Sequence, residues 1–310
     1  MVMSHSLYRV LADTRPGAII DVLAPAWSQP LLARMPEVRQ GLTKRIDHGE
    51  LALGRRRKLG RALRDGYDQA IVLPNSIKAA LVPLLARIPR RTGWRGEMRY
   101  GLLNDMRRLD SEALPLMVQR FVALGLEPGT ALPDPLPPPC LTVDSVRATA
   151  CAQRFSLDPD RKLLVLCPGA EFGGAKRWPS EHYAALADEY LVRGWQVALF
   201  GSAKDSEVTS AIVASASGRG IHDLAGQTSL ADAIDLMSLA GAVVSNDSGL
   251  MHIAAALDRP LLVIYGATSP GFTPPLSSRA TTLVSDIDCA PCFERECPLG
   301  HHRCMRETLP

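Results

Sequence analysis

The chain has 310 residues, 46% of them hydrophobic, which is enough for two domains of ordinary size with apolar cores. No run of about eighteen apolar residues occurs, so a membrane-spanning helix is excluded, and the first residues lack the apolar segment of a signal peptide. Seven cysteines without an export signal argue against a disulfide framework, and we expect a cytoplasmic protein.

The net charge of +3 is unevenly distributed along the chain. Residues 1–130 hold 21 Lys and Arg against 12 Asp and Glu, a net of +9, whereas the remainder has a net of −6. A basic N-terminal half indicates an anionic partner for that half, such as a phosphorylated lipid at a membrane surface or a nucleic acid. A solvated, arginine-rich surface is the simpler interpretation of any single arginine.

The N-terminal half alternates strand-like and helix-like segments. Apolar runs at 18–23 and 69–73 predict strands, and a basic helix is expected at 55–64. Residues 76–86 favour a helix despite Pro83, and 87–95 reads as a basic loop or short strand.

Five prolines at 132–139 predict the start of an interdomain linker. After it, apolar runs predict strands at 162–167, 196–200, 242–245 and 260–264. Helical patterns are found at 180–192 (with Ser180 as the N-cap), 205–216 and 230–239. Strands alternating with helices of this length imply a parallel, doubly wound α/β sheet.

The sequence therefore predicts two Rossmann-like domains that face a cleft, assigned to residues 1–150 and 151–310. No Gly-x-Gly-x-x-Gly follows a strand and no Walker A motif occurs, which disfavours a dehydrogenase or a P-loop NTPase.

The most informative segment is 245–252, where a buried strand meets a polar turn and a helix. Free N–H groups at such a helix start attract phosphate, and Ser248 and His252 share one helix face. His252 can donate a hydrogen bond to a phosphate oxygen. Asp247 would repel a diphosphate, so we expect it to cap the helix or to accept hydrogen bonds from a sugar. The alternative is that Asp247 is only a cap and His252 only a packed histidine.

A glycine-rich loop at 167–179 follows another predicted strand. Its glycines, Gly169 among them, allow close approach to a ligand, and Lys176 supplies a point charge for phosphate. In a doubly wound sheet this loop and the turn at Asp247 converge at one edge. Two further strand ends, at 200–205 with Ser202 and at 265–268, are expected to line the same crevice.

These motifs resemble those of the ADP-heptose:lipopolysaccharide heptosyltransferases, most closely the heptosyltransferase II subfamily. The matching segments cover nearly the whole chain: CPGAEFG at 167–173, KRWP at 176–179, NDSGLMH at 246–252, APAW at 24–27, LPNS at 73–76, RTGWRGE at 91–97, YGATSP at 265–270 and TPPL at 273–276.

The resemblance implies a GT-B fold and an inverting, metal-independent transfer of heptose from ADP-heptose to the first heptose of the lipopolysaccharide inner core. It assigns catalysis to Lys176 and His252, and donor binding to these two residues with Gly169, Ser202, Asp247, Ser248 and Gly249. Acceptor binding is assigned to Asn75, Ser76, Arg91 and Arg95, with Arg90 and Arg99 as further arginines facing the acceptor. No cofactor and no metal are expected, and we expect a monomer at the inner face of the cytoplasmic membrane.

The chain departs from the family at both ends. The family begins with a strand and a Gly-Asp turn whose Asp is thought to be the general base, whereas residues 1–8 resemble the helix after it. A closing helix is likewise expected beyond Pro310. A base in reach of the acceptor hydroxyl contributes about 10²–10⁴-fold in rate. We therefore expect a start at an internal methionine or a fragment, with low solubility and reduced activity.

Four cysteines near the end, Cys289, Cys292, Cys297 and Cys304, enclose His301 and His302 in sequence. Reduced structural cysteines are the simpler interpretation, and a zinc site is the alternative.

Three alternative functions remain. Heptosyltransferases I or III differ in acceptor, and an inactive nucleotide-sugar-binding protein would follow from a missing base. A nucleic-acid-binding protein is disfavoured because only 5% of residues are aromatic.

Overall fold

The computed structural model describes residues 1–44, 46, 50–218 and 220–308, which form two compact units. The first unit contains residues 3–33 and 37–137, and the second contains 34–36 and the chain from 138 onward. The division lies inside the predicted linker and before the expected boundary at 150/151. The reason is that the helix Ser145–Arg154 packs on the helix Leu230–Met237 of the second unit.

The first unit has two separate parallel sheets, one of two strands and one of three in the order β3-β4-β5. Its strands are β1 (Ile20–Pro25), β2 (Val38–Lys44), β3 (Gln69–Ile71), β4 (Arg90–Trp94) and β5 (Asp105–Arg107). Its α-helices are α1 (His5–Thr14), α2 (Gln29–Leu32), α3 (Leu53–Ala62), α4 (Ile77–Leu85) and α5 (Met117–Gly125).

Helices α1 and α5 pack closely in this unit because Gly125 has no side chain. A Cβ at Gly125 would lie 2.4 Å from Cδ1 of Leu7. Val10 and Val122 form a small buried cluster with Leu126. The strands are less well covered, since every residue of β3 and most of β1 are only partly buried.

The second unit is built on one six-stranded parallel sheet in the order β11-β10-β9-β6-β7-β8. Its strands are β6 (Leu163–Cys167), β7 (Gln196–Leu199), β8 (Ile221–Asp223), β9 (Ala240–Asn246), β10 (Leu261–Tyr265) and β11 (Ala280–Val284). Its helices are α6 (Ser145–Arg154), α7 (Ser180–Val192), α8 (Ser206–Ser215), α9 (Leu230–Met237), α10 (Gly249–Ala256) and α11 (Arg303–Arg306).

The core of the second unit lies against the central strands. All residues of β6 and β7 are buried, as expected for parallel strands with both faces covered. Tyr183 and Ala187 of α7 and Ile212 of α8 pack on the apolar side chains of these strands. Residues 34–36 join this unit because the N–H of Thr142 donates to the carbonyl of Arg34, at 2.9 Å.

The predicted elements of the second half are found with small shifts at their ends. The helix 180–192 has the predicted bounds, and 87–95 contains the strand β4. The prediction that Ser180 is the N-cap is wrong. Pro179 holds that position with an extended backbone, and Ser180 is already helical. The helix α4 tolerates Pro83 in its last turn. Within the described ranges, no helix is long and apolar enough to cross a membrane.

Candidate functional site

The strand order of the second unit reverses between β6 and β9. The chain runs from β6 outward to β8 on one side and from β9 outward to β11 on the other. Loops that leave the carboxyl ends of two such strands diverge, and the crevice between them is where open α/β sheets bind ligands. Cys167 pairs with Ser245 at these two ends. The glycine-rich loop and the turn at Asp247 therefore start side by side, as the sequence predicted.

A buried amide joins the two strand ends. Asn246 is fully buried, and its Nδ2 donates to the carbonyl of Pro168 at 2.7 Å. Its Oδ1 accepts from the hydroxyl of Tyr183 at 3.0 Å and from the N–H of Trp178 at 3.3 Å. The sequence motif at 246–252 begins with Asn246 but indicates no role for it. This network fixes the start and the end of the glycine-rich loop relative to β9.

Lys176 and Asp247 meet in the crevice. The Nζ of Lys176 lies 2.6 Å from Oδ2 of Asp247, and the side chains are only 13% and 8% exposed. The same Oδ2 accepts from the Thr268 hydroxyl at 2.8 Å. Thr268 follows β10, so three strand ends contribute to one cluster, and the expectation that segment 265–268 lines this crevice is confirmed.

Phe172 forms the outer wall of this cluster. The ammonium of Lys176 lies 4.7 Å from the centre of its ring, and the guanidinium of Arg295 lies 5.6 Å from it. Both contacts are within the range of cation–π attraction. Lys176 is thus held from two sides, by a carboxylate and by an aromatic face, with its charge at the carboxyl edge of the sheet.

The helix α10 begins beside this cluster. Its N-cap is Ser248, so the prediction that Asp247 caps the helix is wrong; the Asp247 carboxylate is turned to Lys176 and Thr268. Ser248 makes no side-chain bond to the first turn, and its Oγ lies 3.1 Å from Oγ of Ser245. The N–H groups that begin at Gly249 therefore have no side-chain cap. They are suited to an anion.

His252 lies one turn into α10. Burial lowers the pKa of its ring to about 4, the Asp247 charge raises this pKa and the Lys176 charge lowers it. The ring is therefore neutral at pH 7, and one of its nitrogens carries a hydrogen that can be donated. The pKa of His252 in the folded state lies below its ordinary value, so folding favours the neutral ring. The stability that depends on this neutral ring is fully present above about pH 6.5 and is lost as the pH falls toward 4.

Gly169 and Ser202 belong to a neighbouring cluster around Asp205. The N–H and hydroxyl of Ser202 both donate to Oδ2 of Asp205, at 2.9 and 2.8 Å. A Cβ at Gly169 would lie 2.6 Å from the carboxyl carbon of Asp205, so a side chain there would displace this carboxylate. Ser202 precedes the short 3₁₀ helix Ala203–Asp205, and its role toward a donor stays a prediction.

The C-terminal segment, residues 289–308, contacts and supports the glycine-rich loop. The sequence did not predict this contact. The N–H of Ala175 donates to the carbonyl of Arg295 at 3.0 Å, and the N–H of Gly174 donates to Oε1 of Glu296 at 3.0 Å. Phe293 donates its N–H to the carbonyl of Ala267 at 2.7 Å. Residues 293–296 thus support the chain on both sides of the Lys176–Asp247 pair.

The same segment carries four reduced cysteines. The backbone N–H of His302 and those of Leu299, His301 and Gly300 lower the pKa of the Cys297 thiol. Burial raises the pKa of the Cys304 thiol, and the nearby thiols raise it further. The thiols that raise the pKa of Cys304 are those of Cys292, Cys289 and Cys297.

Several predicted acceptor residues of the first unit have structural partners. Arg99 is fully buried and donates to the Pro74 carbonyl at 2.8 Å and to Oδ1 of Asn75 at 3.0 Å. The expectation that Arg99 faces the acceptor is therefore wrong. Ser76 caps α4, and Arg91 donates to the Leu102 carbonyl at 2.8 Å.

Two other predicted arginines differ in their surroundings. Arg95 is exposed and lies 5.9 Å from the ring centre of Tyr100. Arg90 forms ion pairs with Asp105 and Glu127, at 3.2 and 2.7 Å. The acceptor roles of Asn75, Ser76, Arg91 and Arg95 stay predictions.

A basic cavity is present in the first unit, which the sequence indicated through a charge excess and a basic helix at 55–64. It has a volume of about 360 Å³ and lies between α3 and the end of α4. Its lining includes four exposed arginines: Arg57, Arg61, Arg64 and Arg87. Four guanidinium groups around one cavity indicate an anionic ligand.

Comparison with known proteins identifies the relatives of this chain. Residues 56–303 match the sequence model of glycosyltransferase family 9 (heptosyltransferase). The chain is 53% identical to lipopolysaccharide heptosyltransferase 2 of Salmonella typhimurium and 54% identical to that of Escherichia coli. In both cases the alignment covers the whole of this chain and 92% of the relative. The solved structure of E. coli ADP-heptose lps heptosyltransferase II matches with a TM-score of 0.87 at 52% identity, over 93% of this chain and 87% of that one. The predicted α/β fold class of the GT-B type is confirmed.

Removal of the buried amide should loosen the site. Asn246→Ala leaves the Tyr183 hydroxyl, the Trp178 N–H and the Pro168 carbonyl without this partner, and we expect a loss of about 3–5 kcal/mol in the free energy of unfolding. Tyr183→Phe removes one donor and should cost about 1 kcal/mol. Urea unfolding of both variants measures the difference; equal losses would contradict the role given to Asn246.

Proposed function

Because the chain belongs to glycosyltransferase family 9, we propose that it transfers heptose from ADP-heptose to the first heptose of the lipopolysaccharide inner core. The observation that carries this proposal is the cluster of Lys176, Asp247 and Thr268 at the switch point of the second unit. The full-length similarity to proteins named lipopolysaccharide heptosyltransferase 2 supports the choice of acceptor.

The chemistry requires stabilisation of a departing diphosphate. As the bond between the heptose anomeric carbon and the diphosphate oxygen breaks, negative charge grows on that oxygen. Lys176 offers a full positive charge, His252 offers a ring N–H, and the uncapped start of α10 offers backbone N–H groups. The fold holds the His252 ring and the start of α10 in place before the ligand arrives, so these two groups need little reorganisation in the transition state.

We assign Asp247 to the sugar rather than to the phosphates. A carboxylate next to a diphosphate is repelled, whereas its oxygens accept hydrogen bonds from hydroxyl groups. Oδ2 of Asp247 is already occupied by Lys176 and Thr268. This leaves the other carboxylate oxygen, Oδ1, for a donor hydroxyl.

The basic cavity between α3 and α4 is our candidate for the anionic groups of the acceptor. A lipopolysaccharide precursor carries carboxylates and phosphates, which match the four arginines around this cavity. On this proposal the first unit meets the inner face of the cytoplasmic membrane through charge.

A second candidate function is binding of a nucleotide sugar without transfer. It is favoured by one observation: the Lys176–Asp247 cluster is built entirely from the second unit. Calorimetric titration with ADP, paired with a transfer assay on heptosyl-Kdo₂-lipid A, separates the two functions. Binding with transfer supports the transferase, and binding without transfer supports the alternative. Absence of ADP binding would contradict both.

Loss of the Lys176 charge should weaken donor binding. A charge-assisted hydrogen bond contributes about 1.5–3 kcal/mol, so Lys176→Ala should raise the Kd for ADP about 10- to 100-fold. Calorimetry measures the change.

Two controls separate binding from folding. Lys162→Ala removes an exposed lysine at the amino end of β6 and should leave the Kd for ADP unchanged. The double variant Lys176→Ala/Asp247→Asn removes both charges, so that no unpaired carboxylate remains. If this variant folds as the parent does and binds ADP equally well, Lys176 does not contact the phosphates.

His252 should affect the rate more than the affinity. His252→Ala removes a donor that acts when charge develops, and we expect kcat to fall about 10²–10³-fold with a smaller change in the Kd for ADP. His252→Gln keeps an N–H donor and should recover part of the rate. Steady-state kinetics with saturating donor checks both variants. An unchanged kcat for His252→Ala would leave this histidine a packing residue.

The basic cavity should determine acceptor affinity. Each arginine near an anionic surface contributes about 1 kcal/mol, so Arg61→Ala/Arg64→Ala should raise the KM for the acceptor about 10- to 30-fold and leave the KM for ADP-heptose unchanged. The effect should shrink at high salt. Arg193→Ala, a surface arginine of the second unit paired with Glu189, is the control. Equal acceptor KM values in both variants would contradict the assignment.

A further inference from the structure

The four cysteines of the C-terminal segment line one small cavity. Its volume is about 20 Å³, which is room for a single small ion or water. Its lining includes the thiol-bearing residues Cys289, Cys292, Cys297 and Cys304. They come from a stretch of the chain that is otherwise irregular, apart from the short helix α11 that carries Cys304.

A tight turn follows Cys297. The N–H of Gly300 donates to the carbonyl of Cys297 at 3.0 Å, and Gly300 has a φ of +69°, which favours glycine. The N–H groups of residues 299–302 face the Cys297 sulfur. The neighbouring His301 already accepts the N–H of Arg303 at its Nδ1, at 3.0 Å, so this ring nitrogen is occupied.

The segment has little apolar packing to hold it in place. Cys289 and Phe293 are exposed, and Leu299 is 62% exposed. Among residues 289–308, Cys304 and Met305 are buried in the core of the second unit, and Ala290 is partly buried against it. A Cβ at Gly266 would lie 2.4 Å from Sδ of Met305, so α11 is tightly seated while the loop that precedes it is open. A cross-link among the four cysteines would supply the missing order.

We propose that Cys289, Cys292, Cys297 and Cys304 bind one Zn²⁺ as a tetrahedral, four-thiolate structural site. Four sulfur ligands select zinc among the common divalent cations, and a closed set of four leaves no open position for catalysis. Among residues 1–44, 46, 50–218 and 220–308, no three His, Cys, Asp or Glu side chains stand preassembled around one metal position. Zinc binding therefore requires the four thiols to turn toward the cavity they share.

Such a site would stabilise the two chain segments that carry Lys176 and Thr268 in the donor crevice. The lining of the cavity also includes Ala175 and Ala267, the neighbours of Lys176 and Thr268 in sequence. The chain between Cys292 and Cys297 holds the Ala175 N–H and the Ala267 carbonyl. Zinc would hold this brace in place, and the four cysteines would be positioning residues rather than catalytic ones. The proposal is independent of which acceptor the protein uses.

The test is the metal content of the full-length chain purified under reducing conditions with zinc in the medium. Elemental analysis should find about one zinc per chain, and Cys297→Ser and Cys304→Ser should each reduce it at least tenfold. Cys140→Ser, which changes a cysteine far along the chain from the cluster, should retain the zinc. Removal of zinc by a chelator should lower the Tm of the parent and of Cys140→Ser, and added zinc should restore it.

A second measurement covers variants that fail to fold. The chelated parent protein is titrated with Co²⁺, which should give the visible absorption of a tetrahedral thiolate centre that saturates at about one equivalent and is displaced by Zn²⁺. Parent protein with less than a tenth of an equivalent of zinc and no cobalt spectrum overturns the proposal. So does a disulfide within the cluster, found by mass spectrometry of the freshly isolated protein. Iron bound at one equivalent would overturn the assignment of zinc.

Discussion

The side chain of Asn246 is the constraint on which the candidate site depends. It ends β9 and is fully buried, and its amide is satisfied only if Pro168, Tyr183 and Trp178 all stay in place. An unsatisfied buried amide is costly, so the two ends of the glycine-rich loop are fixed by the same group that fixes the turn at Asp247. The loop can be rich in glycine and still present Lys176 at a defined position, since its flexibility is confined between two anchored ends.

The second unit could be predicted from the sequence because its central strands are continuous apolar runs. A parallel sheet covered on both faces requires such runs, and strands β6, β7, β9 and β10 were found from them. The pattern gave no signal for β5 or β8, which have three residues each, or for the exposed edge strand β11. In the first unit the strands are only partly buried and belong to two sheets, so polar residues interrupt the apolar pattern.

The proximity of the glycine-rich loop to the turn at Asp247 followed from topology, since both segments leave the carboxyl ends of the neighbouring strands β6 and β9. The direction of a side chain does not follow from topology, and the arginines of the first unit show the difference. Arg95 and Arg99 are only four residues apart in sequence, yet Arg95 is exposed and Arg99 is buried among carbonyl groups. Similarly, aspartate is a residue type that favours helix N-caps, but the carboxylate of Asp247 binds Lys176 and Thr268 instead. The support from residues 293–296 depends on contacts between segments distant in sequence, which no local pattern encodes.

The pairing of Lys176 with Asp247 has a consequence for how a diphosphate enters. The pair is nearly buried, and separating its charges without a replacement would leave a costly unpaired carboxylate. A diphosphate offers Lys176 a stronger partner, and Thr268 continues to donate to Asp247, so the carboxylate is not left without a hydrogen bond. A sugar hydroxyl that donates to Oδ1 of Asp247 then compensates the carboxylate for the loss of the ammonium. An exchange of this kind favours a ligand that carries both a phosphate and a hydroxylated sugar over either group alone, because only the complete ligand satisfies both halves of the separated pair.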